Sequence, residues 1–128
     1  PADAERFVKE TEVDALAVAI GTAHGPYKGE PRLDFPRLKR IKELTGAPIV
    51  LHGSSGVPDD AIRKAISLGV SKINIDTDIR QAFTSGITEF IKKNPDNIDP
   101  RKMLAPAKAE MKKKVKEKMR LFGCAGKA

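Results

Sequence analysis

The residues best suited to chemistry fall at three places in the chain. His24 and His52 are its only histidines, and each is followed by glycine, Gly25 and Gly53. The third place is Asn74-Ile75-Asp76-Thr77-Asp78. Two neutral imidazoles brought together make a plausible zinc pair. A catalytic zinc wants three protein ligands and an open position, and no third histidine exists here. A third ligand would be a carboxylate, or would come from sequence outside this chain. The turns suit a second task. Gly25, Gly53, Ser54, Ser55 and Gly56 can offer backbone N–H groups and hydroxyls to an anion, with Lys28 adding positive charge. The helix expected after Asp76 and Thr77 would favour phosphate at its amino end. Each feature also has a plainer reading. A lone histidine is commonly structural, Gly-Ser-Ser-Gly is a common turn, and Asp76 or Thr77 could simply cap that helix.

These residues need elements to position them. Residues 3–11 read as the end of a helix that begins upstream. Asp14-Ala-Leu-Ala-Val-Ala-Ile20 is a continuous apolar run, the pattern of a strand buried on both faces of a parallel sheet. A loop rich in glycine and proline follows to Pro31. Asp34 or Phe35 opens a helix with Pro36 in its first turn, and Gly46 stops it. Pro48–Leu51 is a second strand, Pro58-Asp-Asp60 precedes a helix ended by Gly69, and Val70–Ile75 is a third strand. The next helix carries Ile79, Phe83, Ile87, Phe90 and Ile91 and ends at Asn94-Pro95.

Strand, loop and helix thus recur about three times, which predicts an α/β fold with a parallel sheet and right-handed crossovers. Three strands cannot close a barrel, so further strands are expected from sequence outside this chain. The opening Pro1, without an initiator methionine, fits a trimmed or partial chain. Ligands of such sheets sit at the carboxyl ends of the strands, where His24, His52 and Asn74 all fall.

Charge separates a last element. Residues 101–128 hold ten Lys/Arg against two Glu, a net +8, whereas residues 1–100 are near neutral at −1. Leu104, Ala107, Met111, Val115, Met119 and Phe122 form one apolar stripe at helical spacing. We expect a solvated helix docked by that stripe. A basic nucleic-acid or membrane patch is the alternative, weakened by the scarcity of stacking aromatics: no Trp and one Tyr. No apolar run approaches the roughly 18 residues of a membrane span. No secretory opening is evident, and the single Cys124 fits a reducing compartment such as the cytoplasm.

Three collinear motifs carry a resemblance. Ala19-Ile-Gly-Thr-Ala-His-Gly-Pro-Tyr-Lys-Gly29, Leu51-His-Gly-Ser-Ser-Gly56 and Lys72-Ile-Asn-Ile-Asp-Thr-Asp78 resemble class II fructose-bisphosphate aldolase. Asp99-Pro-Arg-Lys102 and the closing Leu121-Phe-Gly123 are similar to that family's carboxyl-terminal end. The resemblance implies the C-terminal part of a TIM (β/α)8 barrel: residues 1–98 as about three βα units, and 99–128 as a basic C-terminal helical extension of the same domain. It implies Zn2+ bound by His24 and His52, with a monovalent cation as a further candidate. Gly25, Lys28, Gly53 and Ser55 would line the phosphate pocket, and Asn74 would contact the triose. Asp76 and Thr77 would complete the substrate contacts, and Arg80 would reach the distal phosphate in a neighbouring subunit. The implied reaction is reversible cleavage of fructose 1,6-bisphosphate to dihydroxyacetone phosphate and glyceraldehyde 3-phosphate, in a cytoplasmic homo-oligomer. Two departures stand out. Ser54 occupies a position that is often glycine in the family. The family's third zinc histidine and its proton-transferring aspartate belong to the first half of the barrel, so this chain would supply only part of the active site. Tagatose-bisphosphate aldolase, a non-catalytic fragment and a basic binding module are the other readings.

Overall fold

Asp34 caps the start of a helix. Its carboxylate accepts the Arg37 backbone N–H at 2.9 Å and pairs with the Arg37 guanidinium at 2.8 Å. These contacts satisfy a donor that a helix start leaves open. The helix runs Phe35–Thr45 and ends on Gly46, whose φ of 65° is left-handed. The apolar spacing, the opening at Asp34 and the stop at Gly46 thus lie where the sequence predicts them.

The computed structural model describes residues 1–25 and 27–127. The element order is α1 (Ala2–Thr11), β1 (Leu16–Ala17), α2 (Phe35–Thr45), β2 (Ile49–Leu51), α3 (Asp59–Ser67), β3 (Val70–Ile73), α4 (Thr77–Lys93) and α5 (Pro100–Leu121). The chain divides into two compact units, Pro1–Ile75 and Asp76–Ala128. Among the described residues, no helix is long and apolar enough to cross a membrane.

The first unit is a parallel sheet of order β1-β2-β3 with helices between the strands. Leu38 and Ile41 of α2 and Ile62 and Ala65 of α3 are buried, as are Leu16, Ile49, Leu51 and Val70 of the strands. At about 25 cal/mol per Å2 of apolar surface, such residues are the main favourable term of the unit. Two strand expectations need correction. The run Asp14–Ile20 forms only a two-residue strand, Leu16–Ala17, paired with Ile49 and Val50 of β2. The sheet is also not buried on both faces: Ala17 and Lys72 are exposed and Val50 is half-buried.

The second unit is a helix pair. Gly86 of α4 meets Ala107 of α5, and a Cβ added at Gly86 would fall 2.7 Å from the Ala107 Cα. Lys118 and Asp78 form an ion pair at 2.6 Å with both side chains mostly buried. The two contacts run in opposite order along the helices, so α4 and α5 are antiparallel. The docking differs from the expected stripe. Ala107 is fully buried, whereas Leu104, Val115 and Met119 are exposed by 44%, 37% and 42%. The helices approach where glycine faces alanine, while the larger Leu104, Val115 and Met119 stay exposed. At the start of α5, Asp99 accepts the Arg101 N–H and pairs with its guanidinium.

Two outcomes follow. Gly86→Val should destabilise the helix pair by about 1–3 kcal/mol through overpacking, read as a lower urea midpoint; an unchanged midpoint would contradict the backbone-level contact. The Arg37 N–H, and then its guanidinium, hold the Asp34 carboxyl below the ordinary carboxylate value. The stability from this cap is present above about pH 3.9 and is lost as pH falls through the lower folded value. Carbon NMR of Asp34 should give a titration midpoint below that ordinary value, and Arg37→Pro should raise it.

Candidate metal site at the carboxyl end of the sheet

Register brings His52 and Asn74 together. Ile49 pairs with Val70, but Val50 pairs with Lys72 and Leu51 with Ile73, so β3 carries one extra residue at Ser71. A bulge of this kind shifts which residues stand opposite each other. Past it, the Asn74 N–H donates to the Leu51 carbonyl at 3.0 Å, which sets Asn74 beside His52. The Asn74 Nδ2 lies 3.1 Å from each ring nitrogen of His52. Lys72 Nζ donates to the Asn74 Oδ1, fixing the other end of the amide.

His24 arrives by a longer route. The chain leaves β1, buries Ile20 at 1% exposure, and returns to α2 through a bond from the Asp34 N–H to the Ile20 carbonyl at 2.8 Å. The intervening loop carries His24 to His52. The ring centroids are 5.7 Å apart, edge to face at 64°. Both rings are exposed and line a cleft of about 390 Å3 with Ala17, Val18, Ala19, Thr22 and Gly53.

The donor set fits part of a metal site. With metal–nitrogen bonds of about 2.0 Å in tetrahedral geometry, two imidazole centroids fall roughly 5 Å apart. The observed separation is near that value, within reach of small side-chain rotations. Among the described residues, no group of three or more His, Cys, Asp or Glu gathers to complete such a site. A metal bound by this pair would draw its remaining ligands from outside the described residues.

The glycine turns are packed as well as bent. Gly53 has a φ of 62°, and a Cβ there would lie 2.5 Å from the Ala23 carbonyl oxygen. No other residue fits both the left-handed backbone and the contact. Gly25 has a φ of 85°, and a Cβ there would meet nothing within 4 Å among the described residues, so the left-handed backbone rather than crowding favours glycine. Ser54 and Ser55 are buried, and the Ser54 Oγ has no hydrogen-bond partner among the described residues. Lys28 is exposed on the first loop.

Asp76, Thr77 and Arg80 lie at the start of α4 in the second unit. Asp76 occupies the N-cap position but makes no capping bond with its side chain. Its carboxylate instead pairs with the Arg80 Nε at 2.8 Å, both side chains being exposed. One group was not singled out from the sequence. The Tyr27 hydroxyl accepts the Ala23 N–H at 2.8 Å and donates to the Gly53 carbonyl at 2.8 Å. The available signal was that Tyr27, the chain's one tyrosine, lies three residues after His24.

Comparison with known proteins agrees with this architecture. The family model described as fructose-bisphosphate aldolase class-II matches residues 1–127. The fructose-bisphosphate aldolase of Geobacillus stearothermophilus is 49% identical over all of this chain and 45% of its own length. That of Thermus caldophilus is 47% identical, covering 100% of this chain and 50% of the relative. The 6-phospho-5-dehydro-2-deoxy-D-gluconate aldolase of Bacillus subtilis is 48% identical over 98% of this chain and 43% of its own. The crystal structure of the YdjI aldolase from Escherichia coli superposes with a TM-score of 0.84 at 40% identity, covering 100% of this chain and 46% of that one. The chain spans about half the length of the curated relatives it matches. Its parallel sheet and helices are part of a TIM barrel, the fold of these aldolases. The match over nearly every residue and the shared fold lead to one conclusion: this chain belongs to the class-II fructose-bisphosphate aldolase family.

Proposed function

We propose that this chain forms part of the active site of a zinc-dependent aldolase that reversibly cleaves fructose 1,6-bisphosphate to dihydroxyacetone phosphate and glyceraldehyde 3-phosphate. The observation that carries the reading is the meeting of His24 and His52, ring centroids 5.7 Å apart, at the carboxyl end of the sheet. In this reading they are two zinc ligands. The third ligand and the group that moves the proton come from the remaining strands of the barrel. Residues 1–98 are then the C-terminal βα units, with 99–128 their helical extension.

Cleavage breaks the C3–C4 bond of the ketose. The C4 hydroxyl gives up its proton and becomes the aldehyde, and the electron pair of the broken bond passes toward C3 and the C2 carbonyl oxygen. Protonation at C3 completes the triose phosphate. When bound, zinc supplies Lewis acidity at that carbonyl oxygen. The residues of this chain hold the phosphorylated end. Gly25, Gly53 and Ser55 offer N–H groups and a hydroxyl to the phosphate, and Lys28 adds charge. Anchoring the remote phosphate orients the reacting carbons. Asn74, beside His52, contacts the triose carbons. Asp76 and Thr77 complete the substrate contacts, and Arg80 serves a neighbouring subunit's distal phosphate when released from Asp76. A monovalent cation near the phosphate, a homo-oligomer and a cytoplasmic setting belong to the same reading.

A second substrate has support in the relatives named for 6-phospho-5-dehydro-2-deoxy-D-gluconate, 47–48% identical to this chain. That name places a ketone next to the phosphate-bearing carbon, as in a ketose 1-phosphate. The residues above would grip that shared end equally well. Choice between these substrates, and of tagatose 1,6-bisphosphate, then falls to the aldehyde half.

In the assembled barrel, His52→Ala should lose most bound zinc and lower kcat by about a hundredfold or more, some 2.7 kcal/mol of barrier. Zinc analysis and a coupled cleavage assay on all three substrates test this. Full turnover by the zinc-loaded variant would refute the ligand assignment, and no turnover of any substrate by the unaltered enzyme would refute the aldolase reading.

A further inference from the structure

His24 sits on a long loop and His52 directly follows β2, yet their rings meet. His24 lies seven residues beyond the end of β1, on a loop that spans residues 18–34 before α2. A surface loop is more mobile than the elements it connects, so a side chain on it keeps its place only where something pins the loop. Packing pins it in one respect: Gly53 is pressed against the Ala23 carbonyl, with no room for a Cβ. Contact alone prevents the loops from approaching further. It does not prevent them from parting.

The Tyr27 hydroxyl supplies the missing restraint. It accepts the Ala23 N–H and donates to the Gly53 carbonyl, each at 2.8 Å. One oxygen thereby uses its donor and an acceptor site on two different loops. Each end of this bridge falls on the residue next to a histidine, Ala23 before His24 and Gly53 after His52. The Tyr27 ring is half-buried, and Gly56 lies against it, a Cβ there falling 3.4 Å from the ring. The Gly-Ser-Ser-Gly turn thus makes room for the phenol that ties it to the first loop. Phenylalanine would keep the ring's packing and remove both bonds.

We infer that Tyr27 is a positioning residue whose hydroxyl sets the separation of His24 and His52, and so pre-organises the metal pair. The inference rests on the reading of those histidines as metal ligands, but the bridge itself acts without metal. Groups of this kind, which orient ligands without touching the ion, typically change metal affinity by about 10–100-fold.

The experiment compares the full chain with its Tyr27→Phe and His52→Ala variants. In the metal-free proteins, a nuclear Overhauser contact between the His24 and His52 ring protons reads their separation. Amide exchange at Ala23 reads the bond to the hydroxyl. Zinc affinity is then measured by competition with a chromophoric chelator. For Tyr27→Phe we expect a lost or weakened ring contact, Ala23 exchange about tenfold faster or more, unchanged exchange at Ile62 in the core, and zinc affinity lower by about tenfold. An intact ring contact with unchanged zinc affinity would overturn the inference, as would an unprotected Ala23 amide in the unaltered chain. If ring contact and Ala23 protection respond to Tyr27→Phe but His52→Ala leaves zinc affinity unchanged, the bridge stands and the metal reading fails. Should the variant lose protection at Ile62 as well, Tyr27 is a general stabilising residue and the positioning role is refuted.

Discussion

Everything proposed for this chain depends on the pairing of β2 with β3 and on where that ladder ends. The extra residue at Ser71 moves the partner of Leu51 from Lys72 to Ile73. The bond from the Asn74 N–H to the Leu51 carbonyl then extends the ladder one step past the strands. That single step is what sets an amide beside His52. Without the bulge, the β3 side chains past Ser71 would change face, and Ile73 would stand opposite His52 in place of Asn74. The sheet is short, so its ends are never far from its core. Leu51, fully buried, is adjacent in sequence to the exposed His52. A well-packed residue next to a reactive one is how a small sheet presents chemistry with little freedom.

The sequence discloses much of this because several signals are local. His52 directly follows an apolar run, so its place at a strand end is readable from three residues. The capping of α2 by Asp34, its stop at Gly46 and the end of α4 at Asn94 are equally local, since a cap needs only its own turn. The run from Asp14 to Ile20 reads as a full strand, yet Leu16 and Ala17 alone pair, because pairing length belongs to the partner as much as to the strand. The bulge at Ser71 leaves no local mark either. Nor does the bridge from Tyr27, since a phenol's partners lie in three dimensions and one of them is 26 residues away.

The basic C-terminal segment shows the same limit from another side. Its apolar spacing correctly announces a helix, but the contact that docks α5 on α4 is set by Gly86 and Ala107 rather than by its larger side chains. Some of its charge is also locally spent. Lys114 pairs with Glu117, and Lys118 reaches Asp78 across the helix pair. Arg80 and Asp76 form a further pair on the first turn of α4, where the family resemblance would instead direct both toward substrate. An exposed pair of this sort is weak, at most about 1 kcal/mol, and yields readily to a phosphate.

In the proposed function, His24 and His52 bind one metal ion together. The most direct measurement is anomalous diffraction at the zinc absorption edge from crystals equilibrated with zinc. One strong peak should lie within bonding distance of a ring nitrogen of each histidine, facing the cleft beside Gly53. A peak on one histidine alone, or zinc bound elsewhere with both imidazoles free, would contradict it.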